Sequence, residues 1–266
     1  MKIIIPLLLF SVILIYGCER DYISTGYPTT YVKYPKDIVS QKIAGYMSRN
    51  RHMRTTLNEY GFCQMRGYQD YIEPPFRGTV SKDEAINLIR NFISENSPET
   101  GVRNVSDINF PNPSTSTSSN GCVLWHFRSL NQKFDTIEVL NSSIMIHLIN
   151  GEVYNCYGNW YPEIYLPPKY NFDPNMAKES LIGLVVSHYS FAGQEYRKTI
   201  SRDDLNDCTV RLKVYPMEDD DKIKLWICWQ IYVPAAEYIF YIDVVSGNII
   251  RKETTIISVI DPNTGQ

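Results

Sequence analysis

The chain has 266 residues, with 26 Lys plus Arg against 29 Asp plus Glu and a net charge of −3. That balance offers no basic field to hold a nucleic acid, and 44% hydrophobic residues suffice for a buried core. Twenty tyrosines and four tryptophans point to strands with broad aromatic faces.

The first element is an apolar run from Ile3 to Tyr16, preceded by the basic Lys2. Its fourteen residues would cover roughly 21 Å as a helix. A bilayer core of about 30 Å needs roughly 20 apolar residues. The plan is that of a secretion signal, and not of a span. Its end, Ile15-Tyr16-Gly17-Cys18, resembles the lipobox of bacterial lipoproteins. That resemblance implies cleavage after Gly17 and lipid, palmitate included, on Cys18. It also implies a protein held on the exported side of a membrane of the bacterial cell envelope. More than one acyl chain gives stable anchoring. Plain secretion with Cys18 as an ordinary thiol is the alternative, and a buried first strand is a third. Removing residues 1–17 leaves 249 residues and takes the charge to −4.

Residues 18–75 read as a tether followed by an N-terminal helical segment. GYPTTYVKYPKD within residues 19–38 is rich in Pro, Thr and Tyr and has no steady period. Ile43, Tyr46 and Met47 predict a helix from Ser40 to about Glu59, stopped by Gly61. FCQMRGYQDYIEPPFRG reads as a loop. The next helix is signalled more sharply. Ser81 caps it, Glu84 reaches back three places, and Ala85, Leu88, Ile89 and Phe92 recur at helical spacing. Residues 111–121 have little to bury and read as a loop.

Strand composition begins at Val123, through VLWHFRS, IEVLNS, SIMIHLI and EVYNCYG. Asn150-Gly151 predicts a tight hairpin between the last two. A second helix is expected from Asp173, with Pro174 at its first position and Ala177, Leu181, Leu184, Val185 and His188 on its apolar side. Three further strands follow, CTVRLKVYP, IKLWICWQIYV and EYIFYIDV. Ser246-Gly247-Asn248 then turns the chain into a last strand, IIRKETTIISV. Helix followed by antiparallel strands, twice over, predicts an α+β fold of two helix-on-antiparallel-sheet units.

Five cysteines follow Cys18, and none forms a Cys-x-x-Cys pair that would suggest a zinc knuckle. Exported proteins form disulfides. Cys208 and Cys228 lie on two strand runs joined by a turn and are candidates to face one another. Cys122 and Cys156 are the next candidates, and the connectivity stays open. The odd count leaves one free thiol.

The segment from His126 to Ile164 resembles the first propeptide domain of thermolysin-like metallopeptidases, the FTP domain. Arg128, Gln132, Phe134, Ile137, Val139, His147, Gly151, Val153, Gly158, Asn159 and Pro162 carry the match. Thr136 departs from it, standing where the family usually has glycine. YIFYIDVVSGNIIRKE resembles the end of the PepSY domain that follows in those propeptides, through Ile242, Asp243, Ser246, Gly247, Ile249 and Ile250. The resemblance covers about residues 78–257 and implies an FTP-like domain at 76–170 and a PepSY-like domain at 171–266. It implies a chaperone-and-inhibitor module that helps a peptidase fold and covers its active site. A full precursor would continue into a catalytic domain with His-Glu-x-x-His. That motif does not occur in this sequence, so the expected peptidase belongs to another chain.

Little else in the sequence suggests chemistry, and no cofactor is expected. His126 and His147 fall on different predicted strands and could meet, either as a metal pair or as packed neutral imidazoles. Gly-x-Ser-x-Gly does not occur, and no cysteine has a histidine-base context. Glu218-Asp219-Asp220-Asp221 suggests calcium or a solvated turn, and lacks EF-hand spacing. Trp226 and Trp229 should face opposite sides of a strand, with at least one in the core. Trp160 and Tyr161 could join a contact surface or pack between domains. The expected function is non-enzymatic. The chain would be a lipid-anchored, propeptide-like module that binds, inhibits or chaperones a secreted peptidase or another client. A small-ligand or cell-envelope binder reusing the fold is the alternative.

Overall fold

A computed structural model describes residues 22–24, 26–65, 78–117, 121–189 and 194–255. The leader and Cys18 lie outside the described residues. The architecture is α+β, with a few short helices and several antiparallel sheets. The chain divides into two compact units. The first holds Thr29–Tyr165 with Pro216–Lys224, and the second holds Leu166–Tyr215, Leu225 onward and the short piece Gly26–Pro28. No helix among the described residues is long and apolar enough to cross a membrane.

The first unit opens with β1 (Thr29–Val32). Thr29 and Tyr31 alternate inward, as a strand requires. The Tyr31 phenol donates to the Glu163 carbonyl (2.8 Å) and accepts from its N–H (3.0 Å), and Thr29 Oγ1 accepts from Tyr165 N–H (2.7 Å). Residues 29–38 are therefore built into a folded unit, which corrects their reading as tether. The alternation that buries Thr29 and Tyr31 was hidden by the surrounding prolines.

Helix α1 (Lys36–Arg49) ends ten residues before the predicted stop. Asn50 leaves the helix at φ −124°, and its side-chain amide folds back onto the Tyr46 carbonyl (2.9 Å). The chain then forms a ribbon of β2 (Thr55–Leu57) and β3 (Cys63–Met65). Asn58 Oδ1 accepts from Tyr60 and Phe62 N–H (both 3.0 Å), so Gly61 serves a hairpin turn and not a helix end.

Helix α2 (Lys82–Glu95) has the predicted capping box: Glu84 N–H donates to Ser81 Oγ (3.3 Å) and Ser81 N–H donates to Glu84 Oε2 (2.8 Å). The Ser81 donors hold the Glu84 carboxyl below its usual range. Ala85, Ile89, Phe92 and Ile93 are buried on one face. A single turn, α3 (Ser97–Thr100), follows.

The sheet that covers these helices joins β4 (Ser114–Thr117), β5 (Val123–Arg128), β8 (Ile144–Ile149) and β9 (Glu152–Gly158) in the order β4-β5-β8-β9. Strand β4 lies inside the segment predicted as loop, because pairing with β5 supplies what its exposed Ser-Thr side chains cannot. In the chain between β5 and β8 comes a small ribbon of β6 (Lys133–Phe134) and β7 (Ile137–Val139), outside this sheet. Ile144, Ile146 and Leu148 of β8 point into the core with α2, while Met145, His147 and Ile149 stay half-buried. Burying each such aliphatic side chain contributes about 1.5–3 kcal/mol. Asn150 and Gly151 both take positive φ (52° and 78°), as the tight β8–β9 turn demands.

The second unit begins with α4 (Pro174–Glu179), capped by Asp173 Oδ1, which accepts from Asn175 N–H (2.8 Å) and Met176 N–H (2.9 Å). The predicted helix does not continue to His188. After Gly183, whose N–H donates to the Ile200 carbonyl (2.8 Å), the chain becomes β10 (Val185–Tyr189), paired with β11 (Glu195–Thr199). Val185 points out and His188 in, because the period there is two. The unit's remaining strands are β12 (Thr209–Asp219), β13 (Lys222–Val233), β14 (Tyr238–Asp243) and β15 (Ile249–Thr254), ordered β15-β14-β13-β12. The tip of the β12–β13 hairpin counts with the first unit.

Candidate functional site

The residues that carry the propeptide resemblance fall into three places. On the outer face of the first unit's sheet, His126 and His147 are direct cross-strand partners. Their rings lie 4.9 Å apart and nearly perpendicular. His126 Nε2 lies 3.1 Å from Ser116 Oγ. Arg128 lies two residues on, exposed at the end of β5. Burial first, then the neighbouring His126 and the positive charge of Arg54, push the His147 imidazole down to about 4. The cation-disfavouring surroundings fit a packed neutral imidazole. Among the described residues no cluster of three or more His, Cys, Asp or Glu could hold a metal ion.

This shift has a sign. An unfolded histidine titrates near 6.5, and the folded His147 near 4. Between those values the unfolded chain binds the extra proton. Stability is therefore full above about pH 6.5 and falls as the pH drops toward about 4. Discounted for the solvent on its open side, the loss should be about 1–2 kcal/mol. Urea unfolding at pH 7.5 and 4.5, compared between the native chain and His147→Gln, checks it. An identical pH dependence in the two proteins would exclude the effect.

Behind that face, Gln132 is a bracket and not a contact residue. Its Nε2 donates to the Tyr161 carbonyl (2.7 Å) and its Oε1 accepts from Tyr161 N–H (2.9 Å). Trp160 and Tyr161 are accordingly buried (4% and 2% exposed), which removes them from any contact surface. Gly158 closes β9 opposite Ile144.

The second unit holds the third group. Asp243, 2% exposed, accepts from Ser246 N–H (2.9 Å), from Ser246 Oγ (2.6 Å) and from the phenol of Tyr27. Gly247 N–H donates to the Asp243 carbonyl (2.9 Å). Tyr27 was not legible as a partner, since it stands 216 positions away in a segment without period. Trp226 lies edge-on to Tyr27 at 6.0 Å, and Trp229 Nε1 donates to the Phe172 carbonyl (2.9 Å). Both tryptophans are half-buried. The acidic run is engaged in local structure: Glu218 accepts from the Tyr60 phenol (3.2 Å) and Asp219 pairs with Lys224 (3.0 Å).

No bond joins Cys208 to Cys228 or Cys122 to Cys156 in the structure. Cys228 Sγ donates to the Lys213 carbonyl across the hairpin (3.6 Å). That places Cys228 opposite Lys213, five residues or about 16 Å of strand from Cys208. Cys122 precedes β5 and Cys156 lies on β9, with β8 between them. Two strand spacings, about 10 Å, exceed the reach of a disulfide.

One surface suited to a partner is the outer edge of β15. Among the described residues β15 pairs with β14 alone, so no described strand pairs with the backbone N–H and C=O groups of its other edge. Shallow hollows run along it, one lined by Leu184 and Ile249–Lys252, the other by Tyr238 and Arg251–Thr254. Ile249, Arg251 and Lys252 are exposed. Glu253 is held from beneath by the phenols of Tyr215 (3.1 Å) and Tyr241 (3.2 Å). Burial first, and then the charge of Glu253, push both phenols up to about 12. The edge thus offers backbone groups, an apolar end and two basic side chains on opposite faces, of which Arg251 pairs with Glu253 (3.5 Å).

No protein-family model and no curated protein matches the sequence. Among solved structures the chain is similar to the C-terminal domain of YpeB from Bacillus megaterium. Identity is 12% and the TM-score 0.30, over 84% of this chain and 98% of that one. At that TM-score the two chains share too little geometry for one to be read from the other.

Proposed function

We propose that the protein is a non-enzymatic binding module of the propeptide type, with FTP-like and PepSY-like halves, anchored to the exported side of a membrane through lipidated Cys18. It holds an extended segment of a secreted peptidase, or of another exported client, as an added strand on β15. The observation that carries this reading is the outer β15 edge, which no described strand pairs, with Arg251 and Lys252 along it. Main-chain pairing supplies affinity in strand addition, and alternate side chains supply specificity. The two basic side chains favour a segment with acidic side chains, and Ile249 with Leu184 favours an apolar residue at one end.

The test is titration of the mature chain against secreted metallopeptidases of the source organism and against extended acidic peptides. Binding at micromolar concentration or tighter is expected, weakened at least tenfold by Arg251→Glu with Lys252→Glu. No binding by any of these partners, or binding untouched by the charge reversal, would overturn the reading. The anchor has its own test: mass spectrometry should find Cys18 as an acylated N-terminus, and an unmodified Cys18 would remove the membrane from the proposal.

A further inference from the structure

Two of the five thiols meet although the sequence sets them 93 positions apart. Cys63 starts β3 and Cys156 lies on β9, and both are buried in the first unit's core (4% and 0% exposed). Their thiols are hydrogen-bonded neighbours. Cys63 Sγ also lies 3.6 Å from the Tyr46 phenol oxygen, to which it donates. Thr55, on the strand paired with β3, anchors the other side: its Oγ1 accepts from Cys156 N–H (2.7 Å). The β2–β3 ribbon is thus fastened to β9 at Cys156 through Thr55, two residues along β2 from Leu57, the partner of Cys63. Cys208 and Cys228 are kept apart by the hairpin register.

We propose that Cys63 and Cys156 are a disulfide site, closed as the chain folds in an oxidising compartment. The oxidant is a disulfide, small or protein-borne. One cysteine thiolate attacks it, forming a mixed disulfide and releasing one thiol. The second cysteine thiolate displaces the other thiol and closes the Cys63–Cys156 bond. Two protein thiols are oxidised, one external disulfide is reduced to two thiols, and the two protons end on those thiols. The bond would tie the ribbon to the sheet. It would leave Cys122, Cys208 and Cys228 as thiols, three free where the odd count alone required one.

Timing follows from burial. The thiolate is the attacking form, and in the folded chain the hydrogen bond with the Cys63 thiol, and then burial, hold Cys156 well above its usual range. The bridge therefore closes before the core does, and the folded dithiol reacts slowly.

The full mature chain carrying Cys18→Ser, refolded from denaturant in a glutathione/glutathione-disulfide buffer, tests this without reference to any client or membrane. Non-reducing peptide mapping should recover the Cys63 peptide joined to the Cys156 peptide, with the other three cysteines alkylated. The oxidised form should unfold on the order of 10 °C higher than the reduced form, and the shift should vanish in Cys63→Ala/Cys156→Ala. Recovery of Cys63 and Cys156 as alkylated thiols after oxidative refolding would overturn the proposal. So would a mixture of pairings with Cys122, Cys208 or Cys228. The mapping needs only the Cys18→Ser background, so a poorly folding core variant does not blur the outcome.

Discussion

Asp243→Ala is expected to lower the unfolding free energy by about 3 kcal/mol, read by urea denaturation. The carboxylate is 2% exposed and fastens two chain segments with one group. It accepts from Ser246 N–H (2.9 Å) and Ser246 Oγ (2.6 Å), which shapes the turn into β15. It also accepts from Tyr27, far back in the sequence. Hydrogen bonds to a charged acceptor are each worth about 1.5–3 kcal/mol, and those on one carboxylate do not add fully. The Tyr27 phenol keeps a neighbour when Asp243 is lost, since the Ile227 carbonyl lies 3.1 Å away. Tyr27→Phe alone should therefore cost less, about 1–2 kcal/mol. The double-mutant cycle should show a coupling of about 1–2 kcal/mol. A cost below about 1 kcal/mol for Asp243→Ala, or no coupling to Tyr27, would show that the knot contributes little to stability.

Gly158→Ala should cost about 4 kcal/mol or more, or prevent the first unit from folding. Gly158 sits at φ +135°, a conformation that an L side chain rarely adopts. The added Cβ would lie 2.2 Å from the Ser143 carbonyl oxygen and 2.9 Å from Ile144 Cα. Both neighbours are backbone, so no rotamer change relieves the clash. Relief requires β9 to part from the start of β8, where Gly158 is paired with Ile144. That movement would open the core around Ile144, which is 1% exposed. Circular dichroism and a chemical denaturation curve decide it: a native spectrum with a loss under 1 kcal/mol would mean that the backbone yields more easily than close packing allows.

Features that depend on neighbours in the chain were legible. Ser81 and Glu84 lie three apart and meet in the structure because a helix start brings them together. Asn150-Gly151 makes its turn because both residues tolerate positive φ. The alternation of SIMIHLI survives as the buried and half-buried faces of β8. The misreadings share a cause. Leu181, Leu184, Val185 and His188 suit one side of a helix, but Gly183 and the Val185-Val186 pair let pairing with β11 pull the segment into a strand. Thr29 and Tyr31 looked like linker residues until the residues from Glu163 to Tyr165 gave them partners. Trp160 and Tyr161 looked available for contact until Gln132 turned their backbone inward.

By itself the sequence determined the α+β class and the caps and turns at Ser81, Asp173 and Asn150-Gly151. These rest on short-range sterics and hydrogen bonds, which a local string of residues specifies. Only the tertiary structure decided that His126 faces His147, that Tyr27 reaches Asp243, that no described strand pairs the outer edge of β15, and that Cys63 meets Cys156 while Cys208 misses Cys228. Each of these depends on strand order and register. They are set by which faces must be buried together across the whole core, and no local pattern in the chain records that choice.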